Sequence, residues 1–352
     1  MNSWMIYGAN GYTGRLIAAE AARRRLQPLL AGRNREALQQ LAAELDCRAR
    51  VFALDDATTV AENLSEVSVV LHCAGPFSRT AAPMLEACLT KRVHYLDISG
   101  EIDVFARCHG AHERARQQGI VVLPGSGFDV VPTDCVAAML KQRLPGATAL
   151  VLAFEAGGGP SPGTARTSVE GLASGGRVRI DGRLVRVPLA WKARSFVRDG
   201  KPRAAMTIPW GDVYTAYVST GIPDIETYMA VSPKTIARVR RMRWLRPLFA
   251  LPAVQKFMQH RIARSTRGPS AQRRRESGSY VWGEVRDTQG HLVKLALSTP
   301  NGYELTVTAS LGIVEHLLHA ASPISGGYYT PSQLMGAEYV LQLPGVQPVE
   351  EG

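Results

Sequence analysis

The sequence predicts an α/β chain, with a doubly wound parallel sheet at the amino end and a second, α+β domain after it. Three observations carry this. From Trp4 to Leu123 short apolar runs alternate with Ala-rich helical stretches, as successive β–α units do. The glycine turn Gly8-Ala9-Asn10-Gly11-Tyr12-Thr13-Gly14 directly follows the first apolar run. Beyond about Pro145 the strands become neighbours joined by tight turns.

In the first domain, residues 1–145, six strands are expected, at Trp4–Tyr7, Pro28–Ala31, Arg50–Leu54, Val67–Cys73, Val93–Asp97 and Ile120–Leu123. Helices fall between them at Gly14–Arg25, Arg35–Leu45, Thr80–Thr90 and Val104–Gln118, where Ala favours helix. In the second domain, 146–327, Arg177–Ile180, Asp181-Gly182 and Arg183–Val187 read as a hairpin, because Asp-Gly accepts the positive φ of a primed turn. A second hairpin runs from Tyr280–Asp287 through Thr288-Gln289-Gly290 to Leu292–Ser298, and Ile225–Val231 adds a strand. A basic helical segment occupies 232–276, and an apolar helix follows at Tyr303–His319. The last segment, 328–352, is expected to carry a helix at Pro331–Leu341, capped by Thr330, that packs back on the first domain.

At 352 residues the chain is too long for one ordinary core and fits two domains. Its 45% hydrophobic and 20% charged content, with 33 Gly and 21 Pro, excludes a fibre and indicates a loop-rich globule. Cys47, Cys73, Cys88, Cys108 and Cys135 are odd in number and never spaced C-x-x-C, which argues against a disulfide framework or a thiolate zinc site. With no basic-then-apolar leader and no apolar run near ~18 residues, a cytoplasmic location is expected.

The glycine turn carries the strongest chemistry. Glycines at this strand-to-helix junction let the chain turn tightly, let a pyrophosphate approach the backbone, and let the helix pack hard on the sheet. The phosphates would then meet the helix amino end, which makes Gly8, Asn10, Gly11, Tyr12, Thr13 and Gly14 cofactor-binding candidates in a Rossmann domain. Where an NAD enzyme carries an acid after strand two, this chain has Gly32-Arg33-Asn34. Arg33 suits a 2′-phosphate, so NADP is the expected cofactor. Asp55 is placed near the adenine or as a helix cap, and Cys73, Ala74, Gly75, Pro76 and Phe77 lie along the nicotinamide end.

Other chemistries find less support. None of the 11 tyrosines has a Lys four residues later, which excludes the short-chain dehydrogenase mechanism. His109/His112 and His316/His319 lack the companions of a metal site, so no metal is expected, and no G-x-S-x-G elbow supports hydrolysis.

The glycine turn ending in Tyr12-Thr13-Gly14, Ala31-Gly32-Arg33, Cys73-Ala74-Gly75-Pro76-Phe77, Tyr95-Leu96-Asp97-Ile98-Ser99-Gly100-Glu101 and Gly127-Phe128-Asp129-Val130-Val131-Pro132-Thr133-Asp134 together resemble the saccharopine dehydrogenase-like oxidoreductases, most of all their trans-acting enoyl reductase branch. The likeness is dense over residues 5–135 and thins later, to Ser161-Pro162-Gly163-Thr164 and Gly326-Gly327-Tyr328-Tyr329-Thr330-Pro331. It implies an NADP-dependent reduction of a C=N or activated C=C bond.

Ligands of such sheets bind at the carboxyl ends of the strands. Asp97, Ser99 and Glu101 follow strand five and Ser126 and Asp129 follow strand six, so Asp97, Glu101 and Asp129 are the catalytic candidates. Turn and helix capping by Asp97, Asp129 and Asp134 is the competing reading, and Thr164 is either a substrate contact or a helix cap.

The formal charge of +11 is local. Thirteen of the 41 basic residues lie between Lys234 and Arg275, where there is no acid, leaving 28 against 30 acidic residues elsewhere. Val254, Phe257, Met258 and Ile262, opposite Lys256, Arg261 and Arg264, suit an anionic membrane surface or an acidic carrier protein. A solvated basic face is the plainer alternative, and sparse aromatics argue against nucleic acid.

The expected function is therefore NADPH-dependent hydride transfer to an enoyl substrate. The alternatives are an imine reductase of amino-acid metabolism, and a non-catalytic NADPH-binding membrane or scaffold protein. A homodimer is compatible with the sequence.

Overall fold

A computed structural model describes residues 3–165, 175–245, 268–320 and 324–349, with scattered positions between 249 and 266 and at 322. It contains two compact units, Met1–Val131 with Tyr303–Met335, and Pro132–Gly302 with Gly336–Gly352.

The first unit runs β1 Ser3–Tyr7, α1 Tyr12–Arg23, β2 Leu29–Gly32, α2 Arg35–Leu45, β3 Ala49–Val51, α3 Ala57–Glu62, β4 Val67–His72, α4 Phe77–Lys91, β5 His94–Asp97, α5 Ile102–Gly110, α6 His112–Gln118 and β6 Val121–Leu123. The strands pair in parallel in the order β6-β5-β4-β1-β2-β3, the doubly wound arrangement. Helices on both faces of such a sheet bury both sides of its strands, which is why Trp4–Tyr7 and Val69–His72 are buried without alternation.

This unit departs from the sequence reading in several places: α3 is not among the expected helices, and the strand expected at Arg50–Leu54 spans only Ala49–Val51. A seventh strand, Gly327–Tyr328, extends the sheet by pairing with β6, and at two residues it is too short to show a period. The stretch expected as one helix at Val104–Gln118 breaks at Ala111, just after Gly110, into α5 and α6. The chain returns to this unit through a long helix, Gly302–His319, here the return helix.

The second unit opens with α7, Val131–Arg143, and builds a nine-stranded mixed sheet. Its strands include β7 Ala149–Glu155, β8 Gly176–Ile180, β9 Arg183–Val187, β10 Ala193–Arg198, β11 Lys201–Thr207, β12 Asp224–Ala230, β13 Ser279–Arg286 and β14 Leu292–Thr299. The β8–β9 hairpin has the expected primed turn, with φ of 49° at Asp181 and 73° at Gly182. A Cβ on Gly283 of β13 would stand 2.4 Å from Val136 and 2.6 Å from Leu140, so α7 rests directly on that strand.

This packing explains why the boundaries differ from the sequence division at 145 and 327. α7 belongs with the second sheet, while 303–335 belongs with the first unit. The helix expected at Pro331–Leu341 spans only Pro331–Met335, because Gly336 turns out at φ +92°. Beyond it the chain joins the second unit, where Gln347–Val349 pairs with β14. In the basic segment, expected to be helical, Ser232 caps a helix at Pro233–Met242, whereas Lys256, Ile262 and Arg264 lie outside the described residues.

Candidate functional site

The glycine turn is shaped by contacts that separate its three glycines. Gly8 has φ +85°, and its N–H donates to the Ala31 carbonyl at 2.7 Å, tying the turn to β2. A Cβ on Gly14 would come 2.3 Å from the Gly8 oxygen, so helix α1 could not close on β1 with any side chain there. Gly11 is exposed, and a Cβ on it would meet only the Gly8 oxygen, at 3.1 Å. Gly11 is thus the glycine the fold does not require and the open cradle of the turn does, which fits a pyrophosphate at the amino end of α1.

Arg33 fills the single position between β2 and Asn34, whose side-chain oxygen caps α2 by accepting from the Ala37 N–H at 3.1 Å. Its guanidinium is exposed and acts on the Tyr7 phenol. Burial pushes that phenol up to about 12, Arg33 opposes the shift and Asp55 adds to it, so Arg33 and Asp55 flank the same corner of the sheet. Asp55 is exposed and leaves the cap of α3 to its neighbour Asp56, which accepts from the Thr59 N–H at 2.7 Å. The corner therefore holds an exposed cation and a carboxylate one strand away, and no acid stands at the end of β2. It fits a 2′-phosphate.

The loop Cys73–Phe77 lies against the glycine turn, since a Cβ on Gly8 would sit 2.8 Å from Ala74. Its shape is held from beneath. The Thr80 hydroxyl donates to the Ala74 carbonyl at 2.6 Å and lies 3.0 Å from Nε2 of the fully buried His72. Burial drives the His72 imidazole down to about 3, so it is neutral and supports the loop without titrating near neutral pH. Burial likewise pushes the Cys73 thiol up, which makes it an inert wall residue. Glu101 accepts from the Phe77 N–H at 3.1 Å and so joins the loops after β4 and β5.

Asp97 is fully buried, with Oδ2 accepting from the Tyr95 hydroxyl at 2.7 Å and Oδ1 from the N–H groups of Ser99 and Gly125 at 2.9 Å each. Burial raises its carboxyl to about 6, and these three donors pull the other way. It is a clasp between the ends of β5 and β6, which is the arrangement that the capping alternative expects. Ser126 continues the clasp by donating its N–H and hydroxyl to the Asp97 carbonyl.

Asp129 differs. It is half-buried, its carboxyl lies beside Gly100, where a Cβ would approach Oδ2 to 3.0 Å, and burial raises it to about 7. A carboxyl that holds its proton at neutral pH, at the carboxyl ends of β5 and β6, can act as a general acid.

The return helix supplies a wall that local patterns do not reveal. The Phe128 N–H donates to Thr306 Oγ1 at 3.0 Å, and Ser310 Oγ donates to the Ser126 carbonyl at 3.1 Å. Gly127 leaves room for Thr306, which its Cβ would meet at 2.8 Å. Tyr303 meets the Tyr12 ring edge-on at 4.9 Å. The sequence trace of this is the pair of hydroxylic residues Thr306 and Ser310, four apart on one face of the helix. Asp134 and Thr164 lie in the second unit. Ser161, not Thr164, caps its short turn by accepting from the Thr164 N–H at 3.2 Å.

The model of the saccharopine dehydrogenase NADP binding domain matches residues 4–123. Residues 4–123 are therefore a saccharopine dehydrogenase NADP binding domain, similar in sequence to proteins named saccharopine dehydrogenase-like oxidoreductase. The human saccharopine dehydrogenase-like oxidoreductase is 28% identical over 170 residues, 43% of this chain and 40% of that protein. The trans-acting enoyl reductase of Mycobacterium leprae is 30% identical over 151 residues, 40% of this chain and 35% of that protein. The chain spans less than half the length of either. The saccharopine dehydrogenase (L-Glu forming) of Saccharomyces cerevisiae superposes with a TM-score of 0.66 at 10% identity, covering 99% of this chain and 100% of that one. The homospermidine synthase of Legionella pneumophila, solved with NAD, gives 0.66 at 10% identity over 99% and 91%. The doubly wound sheet followed by a mixed-sheet unit is therefore a fold that the chain shares with these two structures, and the glycine turn lies within the matched NADP binding domain. Among the described residues no helix is long and apolar enough to cross a membrane.

Proposed function

We propose that the protein is an NADPH-dependent reductase of an activated C=C bond, with Asp129 as the proton donor. The observation that carries it is the Asp129 carboxyl beside Gly100, at the carboxyl ends of β5 and β6, where burial raises it to about 7. Bound NADPH would supply the hydride. The glycine turn and Arg33 would hold the pyrophosphate and the 2′-phosphate, the Cys73–Phe77 loop would line the nicotinamide end, and Asp129 would give the proton that completes saturation, becoming a carboxylate. The loops 73–77, 97–101 and 125–129 carry Asp97, Glu101 and Asp129 but no Lys or Arg. An imino-acid substrate would ask for cations to hold its carboxylates, so these loops favour an enoyl group, as does the name of the mycobacterial relative.

NADPH oxidation is measured against acyl-thioester and imino-acid panels. Turnover of an enoyl thioester supports this reading, turnover of imino acids replaces it with the imine reductase, and tight binding without turnover of either leaves a nucleotide-sensing protein.

A second reading concerns docking of the basic segment. Lys234, Arg238, Arg241 and Trp244 follow one another at helical spacing and are exposed, Trp244 to 88%, and Phe257 further on is 64% exposed. Cations beside an interfacial aromatic suit the surface of an anionic bilayer. Co-sedimentation with phosphatidylglycerol vesicles, weakening as salt rises, is the expected result. Equal behaviour on phosphatidylcholine, or binding to an acidic acyl carrier instead, counts against it.

A further inference from the structure

The cofactor reading above leaves one wall of the first unit unassigned, the amino-terminal half of the return helix. Tyr303, Thr306 and Ser310 lie three and four residues apart and so share one face. Tyr303 touches Tyr12 in the glycine turn, Thr306 holds the Phe128 N–H, and Ser310 is bonded to Ser126. One helical face thus runs from the carboxyl end of β1 to the loop after β6.

The sheet order fixes which half of a dinucleotide that face would meet. Arg33 stands at the end of β2, so the adenosine half lies on the β2–β3 side of the glycine turn. β4, β5 and β6 lie on the other side of β1, so the remaining half would extend over them. Tyr303 is half-buried, and its ring stands 4.9 Å from the Tyr12 ring at 76°, an edge-to-face contact that orients both.

We propose that Tyr303 is a binding residue for the nicotinamide mononucleotide half of the cofactor, its ring standing beside Tyr12 of the glycine turn. This rests on the dinucleotide reading of the glycine turn and adds a contact from a segment far along the chain, outside the matched domain.

The test uses two ligands that share the adenosine end. NADPH contains both halves, while adenosine 2′,5′-bisphosphate has the 2′-phosphate end alone. Calorimetry on the full chain should show Tyr303→Ala raising the NADPH Kd about tenfold, with the Kd for the bisphosphate unchanged within about twofold. Tyr303→Phe, which keeps the ring, should hold NADPH within about threefold of wild type. Arg33→Ala should weaken both ligands, which shows that the pair of titrations reads position. If alanine lowers the melting temperature, Tyr303→Leu keeps apolar bulk against Tyr12 and takes its place. An unchanged NADPH Kd in the ring-less variants overturns the proposal. Equal weakening of both ligands also overturns it, since Tyr303 would then only prop the glycine turn. Wild-type protein that binds neither ligand removes the dinucleotide reading itself, a different failure.

Discussion

Arg33 occupies the one position between β2 and the Asn34 cap, so its exposed side chain can be removed with little cost to the fold. Arg33→Ala is expected to weaken NADPH binding by ~1.5–3 kcal/mol, the range for a hydrogen bond to a charged group, and to leave NADH almost unaffected. A fluorescence titration that finds equal losses for both cofactors would show that Arg33 does not read the 2′-phosphate. Asp129 yields a second prediction at this scale. Its donor form is the protonated one, held to about pH 7, so the rate of reduction should fall on the alkaline side of that value. Asp129→Asn should lower kcat by about 10²–10⁴-fold. The same shift acts on stability. An ordinary Asp titrates near ~3.9, so between that value and about 7 the unfolded chain gives up its proton more readily than the folded one. The stabilisation is complete below the unfolded value and is lost as pH rises through about 7. Denaturant titrations should show that decline in wild type and a flatter profile in Asp129→Asn.

At the scale of the element, the glycine turn separates packing from binding. Gly11→Val meets only the Gly8 oxygen, at 3.1 Å, on an exposed face of the turn, so the protein should melt within a few degrees of wild type and bind neither NADPH nor NADH. Gly14→Ala drives a methyl to 2.3 Å from the Gly8 oxygen, so it should shift α1 off β1 and lower the melting temperature by several degrees. Thermal melts paired with cofactor titrations check both; a Gly11→Val protein that binds NADPH normally would place the phosphates elsewhere. The hairpin at Asp181-Gly182 and the helix Arg35–Leu45 were legible because their determinants are local, a primed turn and helix-favouring Ala. The break at Ala111 was less so, because α5 and α6 are amphipathic on either side of it and their apolar positions read as one stripe.

For the whole molecule, the first unit is discontinuous, and its completeness is testable. Residues 1–131 alone lack the seventh strand and leave Ser126–Phe128 without Thr306 and Ser310. This fragment should melt without a cooperative transition and bind NADPH poorly, while 1–131 joined to 303–335 by a Gly-Ser linker should recover both. Calorimetry and circular dichroism report the difference, and cooperative melting of 1–131 alone, with full-chain affinity, would show the return helix to be dispensable.

The sequence by itself determined the parallel sheet, the glycine turn, the place of Arg33 and the antiparallel hairpins, because each depends on residues within one or two turns of chain. Tertiary structure decided what depended on partners distant in sequence. Three backbone and hydroxyl donors converging on Asp97 made a clasp of a carboxyl that looked as catalytic as Asp129. The return helix joined the first unit because Thr306 and Ser310 bond Phe128 and Ser126, about 180 residues earlier in the chain, and no local period records such a contact.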